Sequence, residues 1–119
     1  MNQQTVDIFN PKTIRATMGS IFRVPFVYVP ELSTVLTQMH ERGIHTYAAH
    51  LKGQKYYDSF SFREPIAFLI GNEGNGLTKE ISDQAGQYLK IPMEGKVESL
   101  NASIAAALLM YEAHRQRNL

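Results

Sequence analysis

The amino-acid sequence predicts a single α/β domain with a mainly parallel sheet flanked by helices. Short apolar segments typical of strands alternate along the chain with segments of helical periodicity, which is the order that a parallel sheet requires. One of these segments, Ile66–Ile70, is apolar at every position, as is typical of a strand covered on both faces. At 119 residues, 44% of them hydrophobic, the chain is long enough to bury one core.

The composition excludes several classes of protein. Twelve basic and eleven acidic residues leave a formal charge of +1, so attraction to a nucleic acid would require a local patch. Because cysteine is absent, disulfides, thiol nucleophiles and thiolate zinc sites are excluded. The longest apolar run, Ile104–Tyr111, is too short to span a bilayer, and Met1–Thr5 is too polar for a signal peptide. We therefore expect a cytoplasmic protein without a membrane segment.

The first two elements are predicted from a helix start and a short apolar run. Asn10 precedes Pro11, and this pair marks a helix start because asparagine caps free amides and proline fits the first helical position. We expect the helix to continue to about Phe22. The run Phe26–Val29 is then predicted to form a short buried strand.

The middle of the chain is predicted to contain an amphipathic helix and a second strand. Apolar residues recur with the spacing i, i+3, i+4, i+7, and the helix should end at Gly43. We expect Ile44–Ala49 to be a strand and the polar, glycine-bearing segment Leu51–Phe62 to be a loop. The apolar positions of the helix are Leu32, Val35, Leu36 and Met39.

The last third of the chain continues the alternation of helices and strands. Thr78 to about Gln87 is predicted to be helical, Tyr88–Ile91 to be a strand, and Ser99 to cap a long helix that ends near Arg117. Ligands in parallel sheets bind beyond the carboxyl ends of the strands. The loops expected to form a site therefore follow Ala49, Ile70 and Ile91.

A glycine-rich stretch, Gly71–Thr78, directly follows the apolar strand. It is not a triphosphate-binding loop, because Leu77 stands where the required lysine would be. It is not a dinucleotide fingerprint either, because Glu73 replaces a glycine that must lie against the pyrophosphate. Two interpretations stay open: a plain turn between strand and helix, or a loop whose backbone approaches a ligand while Glu73 projects a carboxylate into the site.

A second polar segment, Ile91–Ser103, has the same two interpretations. A strand ends at a proline, a flexible loop follows, and the next helix begins with small polar side chains at Ser99, Asn101 and Ser103. The free amides and the positive dipole end of a helix start can form a polar binding site. Alternatively, these side chains only cap the helix.

Together these segments resemble the second and third motifs of the SpoU/TrmH branch of the SPOUT superfamily of RNA methyltransferases. The matching residues are Gly71–Leu77, Ile91-Pro92-Met93 and Ser99–Ala105, and Asn10–Ser20 resembles a further stretch of that branch. The resemblance implies a trefoil-knotted domain over residues 1–119, in which the last helix passes through a loop. It also implies a homodimer through the C-terminal helix and methyl transfer from S-adenosylmethionine to a ribose 2′-hydroxyl of tRNA or rRNA, without a metal.

The resemblance also implies which residues form the site. Contacts to the methyl donor fall on Ala48, Ala49, Leu51, Ile70, Gly71, Asn72, Gly76, Ile91, Met93, Leu100 and Ser103. The residues expected nearest the reacting centre, and hence the catalytic candidates, are Glu73, Ser99 and Asn101. From the sequence itself, basic residues that could contact RNA phosphates are Arg15, Arg23, Lys52 and Lys55, with a solvated loop as the alternative interpretation for the last two.

One expected part of the family pattern is missing. The first motif of the branch, an asparagine followed by the catalytic arginine, has no counterpart, since Arg15 belongs to the later stretch. Because the predicted sheet is also small, we expect the domain to lack its N-terminal strand and helix. Two functional hypotheses follow: an RNA 2′-O-methyltransferase domain, or a truncated, non-catalytic module that binds the donor or RNA. A generic nucleotide-binding fragment is a third.

Overall fold

The computed structural model describes residues 1, 5, 7–50, 53–71, 76–92 and 101–119. Within these residues, a parallel sheet of three strands is flanked by helices, which confirms the predicted α/β class. None of the described helices is long and apolar enough to cross a membrane. The strands are β1 (His45–Ala49), β2 (Ile66–Leu69) and β3 (Gln87–Leu89), and the α-helices are α1 (Pro11–Thr17), α2 (Leu32–Glu41), α3 (Lys79–Gln84) and α4 (Ala102–Arg117).

Helix α1 begins as predicted and ends earlier than expected. The side chain of Asn10 accepts a hydrogen bond of 2.9 Å from the backbone amide of Lys12, so it caps the first turn. At Met18 (φ 52°) and Gly19 (φ 86°) the backbone is left-handed, which ends the helix. The remainder of the predicted helix is one separate 3-10 turn, Ser20–Phe22.

The predicted buried strand at Phe26–Val29 was wrong. The segment belongs to no strand of the sheet, and Val27 is 65% exposed. Its backbone bonds instead to Met1, whose amino group donates to the carbonyl of Val27 (3.0 Å) and whose carbonyl accepts from the amide of Val29 (2.7 Å). An apolar run predicts a preference for burial, but a strand also requires a neighbouring strand of the sheet.

Helix α2 and strand β1 follow the prediction closely. Leu36 is buried, with 2% of its surface exposed, and the other three predicted apolar positions are partly buried. This face of α2 packs against β1 and α3. Strand β1 begins one residue later than predicted, at His45.

The three strands form a sheet in the order β2-β1-β3, with both pairs parallel. Ala48 of β1 is level with Leu69 of β2, and Ala49 is level with Leu89 of β3. The carboxyl ends of all three strands therefore lie at one edge of the sheet, which we call the carboxyl edge. The opposite edge, where the strands begin, is the amino edge.

The segment expected to be a polar loop contributes to the core. Phe62 is completely buried, and its ring lies 5.1 Å from the ring of Tyr47 and 5.1 Å from that of Phe68. The described part of this segment is a loop, as expected, with one 3-10 turn at Tyr57–Ser59, but it is not purely a surface loop because Phe62 packs onto the sheet. The core cluster consists of Tyr47, Phe62, Leu89, Leu109 and Ala113.

Helix α3 and strand β3 are both shorter than predicted. Thr78 caps α3 by accepting a hydrogen bond from the amide of Ile81 (3.3 Å), and the helix ends at Gln84. Strand β3 then runs over Gln87–Leu89, so that it begins one residue earlier and ends two residues earlier than expected.

Helix α4 ends at Arg117, as predicted, but its N-cap is Asn101. The predicted cap, Ser99, lies outside the described residues, as do residues 93–100 in general. The knot stays a prediction, as does the missing N-terminal part. The single-domain span of residues 1–119 likewise stays a prediction.

The direction of α4 is fixed by hydrogen bonds at its C-terminal end. The side-chain carbonyl of Gln116 accepts from the amide of Phe62 (2.6 Å), and its amide donates to the carbonyl of Phe60 (2.9 Å). The guanidinium of Arg117 donates to the carbonyl of Glu64 (2.9 Å), just before β2 begins. The end of α4 therefore lies at the amino edge, and its N-terminus is directed toward the carboxyl edge.

Candidate functional site

The carboxyl edge brings together the ends of the three strands, as predicted from the sequence. Ala49 ends β1, Ile70 follows β2, and Ile91 lies two residues beyond β3. All three side chains pack against the core cluster, so they hold the edge in place. Ala48 has no exposed surface, so it forms the layer beneath the edge and does not itself reach the surface.

The two ends of the glycine-rich loop, at Gly71 and at Gly76–Leu77, are in backbone contact at the carboxyl edge. A side-chain carbon added to Gly71 would lie 2.5 Å from the amide nitrogen of Leu77 and 2.6 Å from the carbonyl carbon of Gly76. Only glycine permits this backbone contact. Gly76 itself has φ 66°, the left-handed region that favours glycine. The two ends of the loop are thus held side by side at the end of β2.

The loop after β1 is held against the end of β3. The amide of His50 donates to the carbonyl of Leu89 (3.0 Å), and the amide of Gly53 donates to the carbonyl of His50 (3.0 Å). A side-chain carbon on Gly53 would lie 2.8 Å from the carbonyl carbon of Leu89. Sequence reasoning missed this residue. Its one signal was a glycine shortly after a predicted strand, which was interpreted as part of a plain loop.

A short pairing extends the edge beyond β3. The amide of Lys90 donates to the carbonyl of Lys55 (2.9 Å), and the carbonyl of Lys90 accepts from the amide of Tyr57 (2.9 Å), which makes a parallel bridge between Tyr56 and Lys90. The chain between β1 and β2 thus returns to the carboxyl edge before it enters the core. Backbone from three different loops therefore meets at this edge.

The two described polar residues at the start of α4 bond to each other. The carbonyl oxygen of the Asn101 side chain accepts from the amide of Ser103 (2.9 Å) and from its hydroxyl (2.5 Å). The capping interpretation therefore holds for Asn101, and both residues are exposed at the helix end directed toward the carboxyl edge. A cap and a site role are compatible, because the first turn of a helix also presents free amides.

Several predicted site residues lie outside the described part of the chain. The described donor-site residues are Ala48, Ala49, Ile70, Gly71, Gly76, Ile91 and Ser103, and of the catalytic candidates only Asn101 is described. Those outside are Leu51, Lys52, Asn72, Glu73, Met93, Ser99 and Leu100. Their roles stay predictions.

The three described candidates for RNA contact are all exposed, and they come from two regions. Arg15 lies on α1 and Arg23 follows the 3-10 turn, so both belong to the N-terminal segment. The ammonium of Lys55 lies 6.0 Å from the ring centre of Phe60, in the segment that pairs with Lys90.

Two tyrosine side chains of the sheet have raised pKa values. The ring of His50 stacks on Tyr88 at 4.8 Å, and the hydroxyl of Tyr88 donates to Asp83 (2.7 Å), which raises the pKa of Tyr88. Burial, with a smaller effect of Glu64, raises the pKa of Tyr47.

No group of three or more histidine or acidic residues that could hold a metal occurs among the described residues. The expected metal independence stays a prediction.

The sequence and the fold are similar to those of RNA methyltransferases. The sequence model of the SpoU rRNA Methylase family matches residues 1–111. A Bacillus subtilis protein named "Putative TrmH family tRNA/rRNA methyltransferase YacO" is 38% identical over 104 residues, which are 87% of this chain and 42% of that protein.

Solved structures give the same result for the fold. The SpoU methyltransferase AviRb from Streptomyces viridochromogenes, in complex with the cofactor AdoMet, aligns with a TM-score of 0.89 and 34% identity over 98% of this chain and 48% of its own. An RNA 2′-O ribose methyltransferase aligns with a TM-score of 0.84 and 35% identity over 97% of this chain and 44% of its own. The chain therefore spans less than half the length of these relatives.

Proposed function

The chain belongs to the SpoU rRNA methylase family, and from that premise we propose that it transfers a methyl group from S-adenosylmethionine to a ribose 2′-hydroxyl of tRNA or rRNA. The proposal rests chiefly on the backbone contact between Gly71 and Gly76–Leu77 at the carboxyl edge, where two further loops meet. The AviRb complex with AdoMet supports the choice of donor. The structurally similar RNA 2′-O ribose methyltransferase supports the choice of acceptor.

The chemistry requires accurate positioning of the two reactants. The donor supplies an electrophilic methyl group: a bond forms from the 2′-oxygen to the methyl carbon while the carbon–sulfur bond breaks, the sulfur keeps the electron pair, and the hydroxyl proton passes to a base. In this protein, the positioning falls to the backbone at Ala49, Ile70 and Ile91, because their side chains are anchored in the core cluster. A rigid backbone edge can hold the donor without reorganising during the reaction.

The residues outside the described part complete the proposed site. We assign donor contacts to Leu51, Asn72, Met93 and Leu100, each of which is next to a described residue in the sequence. Glu73 and Ser99 are proposed to lie nearest the reacting centre together with Asn101. The polar start of α4 would then face the acceptor ribose, since this end of the helix is directed toward the carboxyl edge.

The proposed partners are an RNA in the cytoplasm and a second copy of the chain. An apolar stripe on α4 supports the homodimer: Ile104 is 52% exposed, Leu108 37% and Tyr111 74%. These residues are spaced i, i+4, i+7 and so share one face, opposite the buried residues Leu109 and Ala113. The predicted dimer through the C-terminal helix is proposed to use this stripe.

A non-catalytic module that binds the donor or RNA is the second candidate. It is kept because Arg15 belongs to the Asn10–Ser20 stretch and does not supply the catalytic arginine of the first family motif. The two candidates predict the same donor site and differ only in turnover.

Methyl transfer separates the two candidates directly. The chain is incubated with S-adenosylmethionine and unmodified total tRNA or rRNA, and the digested nucleosides are analysed by mass spectrometry. A catalytic domain produces a 2′-O-methylated nucleoside, whereas donor binding without any methylated nucleoside supports the module and contradicts the proposed function.

Two substitutions at Asn101 separate a site role from capping. Asn101→Asp keeps an oxygen that accepts from Ser103, whereas Asn101→Ala removes the cap and should cost about 1 kcal/mol of stability. If Asn101 acts at the reacting centre, both variants lose activity. If Asn101 serves only as a cap, the Asp variant keeps wild-type activity, and the proposed role of Asn101 at the reacting centre is wrong.

A further inference from the structure

The N-terminal segment displays an unusual amount of aromatic surface. Phe9, Phe26 and Tyr28 form a chain of edge-to-face contacts, with ring centres 5.7 Å and 6.4 Å apart, and each ring is at least 42% exposed. On the same segment Phe22 is 77% exposed. We call the four residues the aromatic surface. Three of these rings are in contact, and a cluster of exposed aromatic side chains is a candidate interaction site in a soluble protein.

The same segment carries the positive charge that the whole chain lacks. Residues 8–30 contain Lys12, Arg15 and Arg23 and no acidic residue, whereas the rest of the chain holds nine basic and eleven acidic residues. Two acidic residues flank the segment. The carboxylate of Asp7 accepts from the backbone amide of Phe9 (3.0 Å), and Glu31 precedes α2. The excess of positive charge therefore lies in the same segment of the chain as the aromatic surface.

We propose that the aromatic surface is a docking site for unpaired nucleotides of the RNA, with bases stacked on Phe22 and Phe26 and phosphates bound by Arg15 and Arg23. This inference rests on the proposed function, because it concerns the substrate of that reaction. Aromatic rings combined with cations are the chemistry of single-strand recognition, since every base has a face that stacks and every nucleotide carries a phosphate. A protein partner would use the apolar area without needing the cations.

The backbone presents these side chains in a defined geometry. The left-handed residues Met18 and Gly19 reverse the chain after α1, and the extended segment that follows is held by Met1 at Val27 and Val29. The substituted residues below are exposed and lie outside the core cluster. Their replacement should therefore leave the fold intact.

Binding of a fluorescein-labelled 12-nucleotide oligo(A) tests the proposal by polarisation. The double variant Phe22→Leu/Phe26→Leu keeps apolar side chains and removes the stacking faces, so its affinity should fall at least about tenfold. Phe22→Tyr/Phe26→Tyr should stay within about twofold of wild type. Arg15→Gln/Arg23→Gln should also weaken binding and reduce the slope of log affinity against log salt by about 1.4. The matched control Arg42→Gln removes an exposed cation outside this segment and should change neither the affinity nor the salt slope.

Three results would overturn the inference: no oligo(A) binding by the wild-type chain, equal affinities for wild type and the leucine variant, or an effect of that variant on self-association in sedimentation and not on RNA. The last result would identify a protein partner.

Calorimetry with S-adenosylmethionine on the same proteins keeps this test separate from the proposed function. If the chain binds the donor and the variants bind RNA like the wild type, only the proposal for the aromatic surface is contradicted. If RNA binding depends on the aromatic surface but the chain does not bind the donor, only the donor site is contradicted.

Discussion

At the scale of single residues, glycine positions determine how closely the loops of the carboxyl edge can approach one another. Gly71 and Gly53 each lie where an added side-chain carbon would be within 3.0 Å of another backbone segment. The sequence drew attention to Gly71 through its glycine-rich surroundings and gave little sign of Gly53. Which glycine is indispensable depends on the backbone segment that lies opposite: Gly76–Leu77, nearby in the sequence, for Gly71, and the distant Leu89 for Gly53.

The cap of α4 shows the same limit of sequence reasoning. Serine and asparagine both cap helices well, so residue type alone allowed Ser99, Asn101 or Ser103 to be the N-cap of α4. The structure assigns the cap to Asn101. Only the path of the chain entering the helix decides between such residues.

Glu112 provides a residue-scale prediction for pH. Hydrogen bonds from Arg115 and Gln116 lower the pKa of Glu112 from 4.5 to about 2. The folded state therefore gains stability from this carboxylate above the unfolded pKa and loses it as the pH falls from about 4.5 to about 2. Because Arg115 is 57% exposed, the contribution should be about 1 kcal/mol or less.

Chemical denaturation between pH 6 and pH 2.5 measures this contribution. The free energy of unfolding of Glu112→Gln should fall less steeply with acid than that of the wild type. Glu41→Gln, which removes an exposed carboxylate at the end of α2, should leave the wild-type slope unchanged. Parallel curves for Glu112→Gln and the wild type would show that this carboxylate does not contribute.

At the scale of elements, periodicity predicted the long helices. It failed where an element's end depended on a local backbone conformation or where a strand depended on a distant pairing partner. The spacing of α2 and the end of α4 were predicted correctly, since each depends on its own residues. Helix α1 stops at Met18 because a non-glycine residue adopts the left-handed conformation, which no propensity predicts. Phe26–Val29 has the composition of a strand and lies in no sheet, because pairing is a property of two segments.

Helix α4 carries the prediction about assembly. It is apolar on two sides, and its buried side contacts the core cluster through Leu109 and Ala113. If Ile104 and Tyr111 form the dimer contact, Ile104→Glu/Tyr111→Glu should shift the chain from dimer to monomer, because two charges would be buried on each side of the interface.

Sedimentation velocity at several protein concentrations measures this shift. The control Met110→Glu changes a residue that is 60% exposed but lies about a third of a turn away from the stripe, so it should stay dimeric. A wild-type monomer, or equal effects of both variants, would contradict the assignment of the interface to this stripe.

At the scale of the whole molecule, the parallel arrangement of the strands explains why the loops of the carboxyl edge could be predicted from sequence. In a parallel sheet all strands end at one edge, so the loops after Ala49, Ile70 and Ile91 had to lie at the same edge whatever the strand order. The order β2-β1-β3 itself was not predictable, because neighbouring strands are chosen by long-range packing. The burial of Phe62 was missed for the same reason: its partners, Tyr47 and Phe68, lie on the sheet and not beside it in sequence.

Binding of S-adenosylmethionine to the chain, measured by isothermal titration calorimetry, tests the central claim most directly. The wild-type chain should bind both the donor and S-adenosylhomocysteine, and Gly71→Ala should weaken both at least about tenfold, since the added carbon would lie 2.5 Å from the amide nitrogen of Leu77 and force the loop apart. The control Gly43→Ala adds backbone strain (φ 74°) just before β1, at the amino edge, with nothing within 4 Å of the new carbon, and should bind the donor like the wild type. Absence of binding by the wild-type chain, or wild-type affinity in Gly71→Ala, would contradict a methyl-donor site at the carboxyl edge.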